Sequence, residues 1–215
     1  MKVVTLSFND FCVNTYVVID PETHECAIVD PGMFDTTETS RLVKTIESMH
    51  LKPVHLINTH QHIDHVMGND FIDQLYGLKP EANKNDDFLA VRLVEQAQSF
   101  GLRRSPQIVP VSTYLTNGDI VKIGDGQLKV LTVPGHSPGS IALYDEKDAF
   151  VITGDALFCG SIGRTDLPGG DYDILLQSIR EKLFTLPNDT VVLPGHGPAS
   201  TIGDEKRLNP YFRGV

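Results

Sequence analysis

Four apolar, β-branched runs of this chain each end in a loop that sets a histidine or an aspartate beside glycine or proline. Residues 51–58 run into T-H-Q-H-I-D-H (59–65), and 127–133 into P-G-H-S-P-G-S (134–140). Residues 149–152 run into T-G-D-A (153–156), and 190–193 into P-G-H-G-P-A-S (194–200). Glycine permits a sharp turn and proline stiffens one, so each donor is held at a strand end with little backbone freedom. Collected along one side of a sheet, the four loops gather His60, His62, His65, His136 and His196 with Asp64 and Asp155. A fold that satisfies this pattern must bring four strand ends to a common edge.

The rest of the chain reads in the same direction. Strands are expected at 3–8, 15–19 and 26–29, again at 51–58, and then at 111–115, 120–123, 127–133, 141–144, 149–152 and 190–193, separated by N-G-D and G-D-G turns. Helices are expected at 36–49, where Leu42, Val43, Ile46 and Met49 share a face behind Thr36 and Glu38, and at 64–76. Further helices are expected at 85–100, with a Leu89, Leu93, Val94 and Ala97 stripe stopped by Gly101, and at 174–184. Strands with helices inserted in two batches suggest sheets packed on each other with helices outside. No linker or repeat interrupts the 215 residues, so one domain over 1–215 is expected.

Charge and cysteine content narrow the function. Lys plus Arg number 18 against 28 Asp plus Glu, a formal charge of -10, which opposes a nucleic-acid partner. No uninterrupted apolar run is long enough to span a bilayer, and the start has no cleavage site, so no membrane partner is expected. The three cysteines are odd in number and lack C-x-x-C spacing, which gives neither a disulfide framework nor a thiolate zinc site. A cytoplasmic location follows, with Cys12 and Cys26 expected buried in apolar strands and Cys159 left open.

Seven nitrogen and oxygen donors are too many for one tetrahedral zinc, and they suit two divalent metal ions sharing a bridging carboxylate. His60 and His62, two apart on extended backbone, point the same way, while Asp64 and His65 lie at the turn into a helix. A purely structural explanation would leave five imidazoles and two carboxylates converging unpaired. His24, His50 and His55 are read as structural. Arg164, beside Asp166 and Asp171, either holds a substrate carboxylate or braces its own loop, and the brace is the simpler reading. The segment carrying Arg92, Arg103 and Arg104 is either a cover for the site, its basic end a lure for an anionic acyl group, or simply a solvated helix face. Cys159 is a candidate for lining the pocket without binding metal.

T-H-Q-H-I-D-H, P-G-H, G-D-A and P-G-H in this order resemble the metallo-β-lactamase superfamily over nearly the whole chain. The resemblance implies an α/β fold, an αβ/βα four-layer sandwich of two mixed sheets flanked by helices, with a dinuclear site at the sheet edges. It implies that His60, His62 and His136 hold one metal, Asp64, His65 and His196 the second, and that Asp155 bridges. Thiolate-ligated β-lactamases carry Cys at the position of Asp155, which disfavours antibiotic hydrolysis, and flavodiiron-type members carry a carboxylate at that of His62. Residues 157–171 and 194–210 resemble short glyoxalase-II-like hydrolases. That likeness implies two metals, zinc first and iron or manganese as alternatives, activating water against a small thioester or ester such as S-lactoylglutathione. Asp64 would orient the nucleophile and take its proton. Full-length glyoxalase II has a C-terminal helical domain that contacts glutathione, whereas this chain ends 19 residues after His196. Persulfide dioxygenases also resemble the chain, including G-R-T-D, and would use one iron on His60, His136 and Asp155. The oligomeric state is not legible.

Overall fold

The computed structural model describes residues 1–104 and 106–213. Strands β1 (Lys2–Phe8), β2 (Val13–Ile19) and β3 (Glu25–Val29) form an antiparallel start, followed by helix α1 (Thr36–Ser48) and strand β4 (Lys52–Ile57), parallel to β3. Helices α2 (Ile63–Val66) and α3 (Asn69–Tyr76) lead to β5 (Pro80–Ala82), then α4 (Asp87–Ala90), α5 (Leu93–Ser99) and β6 (Thr113–Tyr114). Strands β7 (Ile120–Ile123), β8 (Gly126–Thr132), β9 (Ile141–Asp145) and β10 (Phe150–Gly154) run antiparallel. A small hairpin, β11 (Leu157–Phe158) and β12 (Ser161–Ile162), precedes α6 (Tyr172–Ser178), β13 (Val191–Pro194), β14 (Ser200–Thr201) and α7 (Ile202–Leu208).

The strands assemble in the orders β1-β2-β3-β4-β5-β6 and β14-β13-β10-β9-β8-β7. Both sheets are mixed, since β3, β4, β5 and β6 pair in parallel, as do β10 and β13. Strand periodicity divides the core into layers. On β2, Tyr16 and Val18 face the second sheet, meeting Val130, Ile141 and Ile152, while Val17 and Ile19 face Leu42, Ile46 and Ile72 of α1 and α3. On the far side, Val151 and Val192 meet Leu175, Ile179 and Ile202. The result is the expected four-layer α/β sandwich. Because β2 is covered on both faces, its seven residues are all buried, and it reads V-N-T-Y-V-V-I rather than as an apolar–polar alternation.

Helix α1 begins where Asp35 accepts from the Thr37 and Glu38 amides at 2.8 and 2.9 Å, and Glu38 reaches back to the Phe34 amide at 2.7 Å. The helix expected at 64–76 is broken at Gly68, whose amide goes to Pro31 O at 2.7 Å, and a Cβ there would strike Met33 and Pro31. The helix expected at 85–100 is also split. The Leu89 carbonyl takes the Arg92 amide at 3.0 Å and the Gln96 side-chain amide at 2.9 Å, which tightens that turn. The helix at 174–184 starts earlier, capped by Asp171, and ends in a wide turn over Ile179–Leu183. Strands β5, β11, β12 and β14 and helix α7 go beyond the sequence reading. Cys26 is buried, but Cys12 is exposed in the turn before β2, at φ 55°, correcting the expectation for that thiol. No helix among the described residues is long and apolar enough to cross a membrane.

His24 and His50 are exposed turn residues, whereas His55 ties the two sheets together. Its Nδ1 lies 2.5 Å from Glu81 Oε1 on β5, and its Nε2 lies 2.8 Å from Lys122 O on β7. A carboxylate and a carbonyl can only accept, so both ring nitrogens donate when the imidazole is charged. The bond to Glu81 outweighs partial burial and raises the His55 pKa. A raised folded pKa adds stability that is complete below about pH 6.5, the unfolded value, and is lost as pH rises through the folded one. Denaturation at pH 6 and pH 9 should therefore show the native chain losing about 1–2 kcal/mol more than Glu81→Gln over that interval. Equal losses would leave His55 without this role.

Candidate metal centre

The C-terminal ends of β8, β10 and β13 lie at one edge of the second sheet, because β8 and β10 flank the antiparallel β9 and β13 is parallel to β10. The end of β4 meets them from the first sheet, where the Ile141 amide donates to Thr59 O at 2.8 Å. The Asn14 amide also donates to Gly195 O at 2.7 Å, and the Tyr16 hydroxyl to Pro194 O at 2.6 Å. The two sheets are thus joined where their loops carry the donors. Gly195 allows this approach, since a Cβ there would collide with Asp155 Oδ1 and the His65 ring.

All seven donors named from the sequence converge here, in three overlapping groups: His60, His62 and His136; His60, His65 and Asp155; and Asp64, His65 and His196. Within each group the ligand atoms lie within 4.8 Å of one another. His60 Nε2 and His136 Nε2 are 3.3 Å apart, His62 Nδ1 is 2.8 Å from His136 Nε2, and His65 Nε2 is 3.3 Å from His196 Nε2. Asp155 sits between the two ends. Its Oδ1 is 3.2 Å from His65 Nε2, and its Oδ2 is 3.6 Å from His196 Nε2 and 3.7 Å from His136 Nε2. Asp64 Oδ2 is 3.2 Å from His196 Nε2 and 3.6 Å from His65 Nε2.

The outward nitrogens explain why the inward ones are lone pairs. His136 Nδ1 donates to Arg164 O at 2.7 Å, His196 Nδ1 to Phe11 O at 2.9 Å and His65 Nδ1 to Asp30 Oδ2 at 2.9 Å. The Thr59 hydroxyl spends its proton on Asp30 Oδ2 at 2.6 Å, so His60 Nδ1, 3.1 Å away, is the donor to Thr59. With Nδ1 protonated, the Nε2 of a neutral His60, His65, His136 or His196 presents a lone pair to the centre, whereas His62 turns its Nδ1 inward. Lone pairs facing each other at 3.3 Å repel unless a cation lies between them, and Asp155 Oδ1 is buried without a hydrogen-bond partner. The donor set therefore fits divalent metal ions, with no thiolate among its members.

The electrostatics divide the cluster. Burial, reinforced by the neighbouring imidazoles, drives His60 well below the ordinary histidine value and His62 down to about 3. Burial also opposes charge on His65, but Asp155, Asp64 and Asp30 overrule it and hold that ring well above the ordinary value. Burial alone would raise Asp155 and Asp64, and the surrounding histidines, His65 foremost, lower both instead. One half of the cluster is neutral nitrogen, and the other half calls for positive charge beside carboxylates.

Arg164 does not join the donors. Its guanidinium is 56% exposed and gripped by Asp166 through two bonds of 2.7 Å, while Asp171 instead caps α6. Arg92 lines the cavity beside the cluster, but Arg104 turns away to Asp70 at 2.5 Å and stacks on Phe71 at 4.3 Å, correcting the expectation of a basic cover. Cys159 is exposed and does not line that cavity.

Two carboxylates were not legible as site residues. Asp30, fully buried at φ 50°, accepts from the Thr59 amide at 2.7 Å as well as from the Thr59 hydroxyl and His65. Asp86, also buried, accepts from the Gln61 amide at 3.2 Å, the Ser137 hydroxyl at 2.7 Å and the Gly139 amide at 2.6 Å. It thereby clamps the loop of His60 and His62 to the loop of His136. The sequence signal for Asp30 is its place in D-P-G at the end of β3, a pattern that by itself announces only a turn.

The model of the family described as "Metallo-beta-lactamase superfamily" matches residues 9–196. The chain belongs to this superfamily. It is 39% identical over 213 residues to the hydroxyacylglutathione hydrolase GloC of Haemophilus influenzae, covering 99% of this chain and 98% of that one. Among solved structures, the BLEG-1 B3 metallo-beta-lactamase superposes with a TM-score of 0.90 at 33% identity, covering 99% of this chain and 100% of that one. TTHA1623 in a di-iron-bound form gives 0.84 at 36% identity, covering 98% and 100%. ETHE1 from Myxococcus xanthus gives 0.80 at 27% identity, covering 98% and 84%. Superfamily membership, the GloC relative and the His/Asp clusters together support a metal-dependent hydrolase.

Asp30→Asn keeps the size of the side chain but puts an amide donor against the Thr59 hydroxyl and His65 Nδ1. Chelator competition should show metal affinity falling about 10–100-fold, and unfolding of the metal-free protein should show a loss of about 1–3 kcal/mol. Unchanged metal affinity would refute the positioning role of Asp30.

Proposed function

We propose that the chain is a dinuclear metal-dependent thioesterase of the glyoxalase-II-like kind, taking a small acyl thioester such as S-lactoylglutathione. The observation that carries this reading is the presence of two donor trios side by side, with Asp155 between them. His60, His62 and His136 would hold one ion, Asp64, His65 and His196 the other, and Asp155 would be shared. Zinc suits the mixed nitrogen and oxygen donors, and the di-iron form of a relative makes iron the competing metal. When bound, such ions supply Lewis acidity that makes water acidic near neutral pH and polarises an acyl carbonyl.

The chain's own residues supply the rest. Asp64 lines the cavity and, held ionised by His65 and His196 against its burial, orients the attacking water and accepts its proton. Water oxygen bonds to the acyl carbon, the carbon–sulfur bond breaks, and the proton taken by Asp64 passes to the leaving sulfur, yielding an acid and a thiol. Thr59 and Asp30 keep His60 and His65 in place through the turnover. The partner in this reading is a small molecule, with neither nucleic acid nor membrane involved. Free thiols at Cys12, Cys26 and Cys159 fit a reducing cytoplasm.

A second reading has its own support. The likeness to ETHE1 and the G-R-T-D stretch favour a mononuclear iron persulfide dioxygenase that would use His60, His136 and Asp155. It leaves the Asp64, His65 and His196 trio without work, which is why the hydrolase is preferred.

Elemental analysis with assays on S-lactoylglutathione, other thioesters, lactones and a β-lactam separates the two. Two metal equivalents per chain with thioester turnover are expected, and one iron with oxygen uptake would overturn the proposal. In Asp64→Asn reloaded to two ions, kcat should fall by about 10²–10⁴. Full turnover by that loaded variant would remove the role of Asp64.

A further inference from the structure

Beside the donor cluster lies a cavity of about 600 Å³, within the range that holds a small organic ligand. Its wall comes from four separate parts of the chain: Phe11 before β2, Leu89 and Phe100 on and after α4 and α5, Phe158 and Ile162 on the β11–β12 hairpin, and Leu167 in the loop that follows. Phe11 and Phe100 stack edge to face at 5.3 Å, and the Phe158 ring lies 6.2 Å from that of His196. Phe100 remains 45% exposed, a large ring left in water at the mouth of the cavity.

Several polar side chains of the same wall are turned to partners within the chain. Gln96 accepts from the Ile63 amide at 3.0 Å and donates to Leu89 O at 2.9 Å, and the Ser99 hydroxyl donates to Glu95 O at 2.9 Å. Arg164 is chelated by Asp166, and Arg92 faces Glu95 at 3.8 Å, one charge of each sign. Ser161 reaches only its neighbour's carbonyl, Ile162 O, at 3.5 Å. Apart from the metal-ligand candidates, the wall among the described residues offers mainly apolar surface, with Arg92 and Glu95 facing each other and Arg164 turned to Asp166 as its charged members. A glutathione conjugate carries two carboxylates and an ammonium, and the charged groups this wall can offer them, Arg92, Glu95 and Arg164, are all more than half exposed, so water screens what such pairs would gain.

We infer that this cavity selects thioesters whose acyl group is apolar, a medium-chain aliphatic or aryl group, in preference to a short hydroxyacyl group on a charged tripeptide. The inference rests on the thioesterase reading above and names its substrate class. The acyl carbonyl lies at the donors, the hydrocarbon runs along Leu89, Phe158 and Ile162, and the Phe11–Phe100 pair covers its far end. Specificity then comes from desolvation of the chain, not from hydrogen bonds to the thiol carrier.

The test uses metal-loaded full-length protein and thioesters of one uncharged thiol, N-acetylcysteamine, with acetyl, butanoyl, hexanoyl and octanoyl groups, alongside S-lactoylglutathione. kcat/KM should rise roughly threefold per methylene and exceed that of S-lactoylglutathione by the octanoyl compound. Phe100→Ser, a change at a half-exposed ring that leaves the core intact, should lower the octanoyl-to-acetyl ratio about fivefold. Calorimetric titration with octanoate and acetate reads the cavity without turnover, and octanoate should bind at least about tenfold tighter. A flat chain-length series with equal binding of the two acids, or a preference for S-lactoylglutathione, would overturn the inference. If no thioester turns over while octanoate still binds tightly, the thioesterase reading fails and the apolar cavity stands.

Discussion

The carboxylate of Asp30 is the fixed point of the active edge. It lies at the end of β3, out of reach of water, and accepts three hydrogen bonds from Thr59 and His65. The bond to the Thr59 amide fixes where β4 ends. The bond to the Thr59 hydroxyl aims that oxygen at His60, and the bond to His65 chooses its tautomer. One buried carboxylate therefore sets two donors, one on each side of the turn into α2, and three hydrogen bonds replace the water it lost.

Around that point the fold resolves a conflict. Five imidazoles and two carboxylates within a few ångströms destabilise any structure that gathers them without a cation, through desolvation and through repulsion between like lone pairs. The layers behind the edge supply the opposing stability: a dry core between the sheets and an apolar helix layer on each outer face. Backbone bonds between the sheets, from Ile141 to Thr59 and from Asn14 to Gly195, carry that rigidity to the loops. Asp86 repeats on the His136 side what Asp30 does on the His65 side. Its own burial pushes its pKa up against the donors of Ser137, Gly139 and Gln61.

Legibility followed how local each signal was. The β-branched runs and the 42–49 apolar stripe come from side chains that pattern their own backbone, and those elements stand within a residue or two of where the periodicity put them. The breaks at Gly68 and between Ala90 and Leu93 come from distant or inserted partners, the Pro31 carbonyl and the Gln96 side chain, and a helical pattern continues across both. Cys12 is flanked by apolar residues but occupies a left-handed turn, so its neighbours misled about its burial. The short strands β5 and β14 are paired only because a neighbouring strand lies beside them, and nothing in three or two residues announces that.

The chemistry divides the same way. Residue types at strand ends, with glycine and proline to hold them, determined that seven nitrogen and oxygen donors would meet, because a strand's direction fixes where its loop emerges. The amino-acid order alone could not show which carboxylates brace those donors, or that the space beside the cluster is walled by apolar side chains from four segments. Those facts depend on contacts between residues tens to well over a hundred positions apart, and only the packing of one sheet on the other decides them.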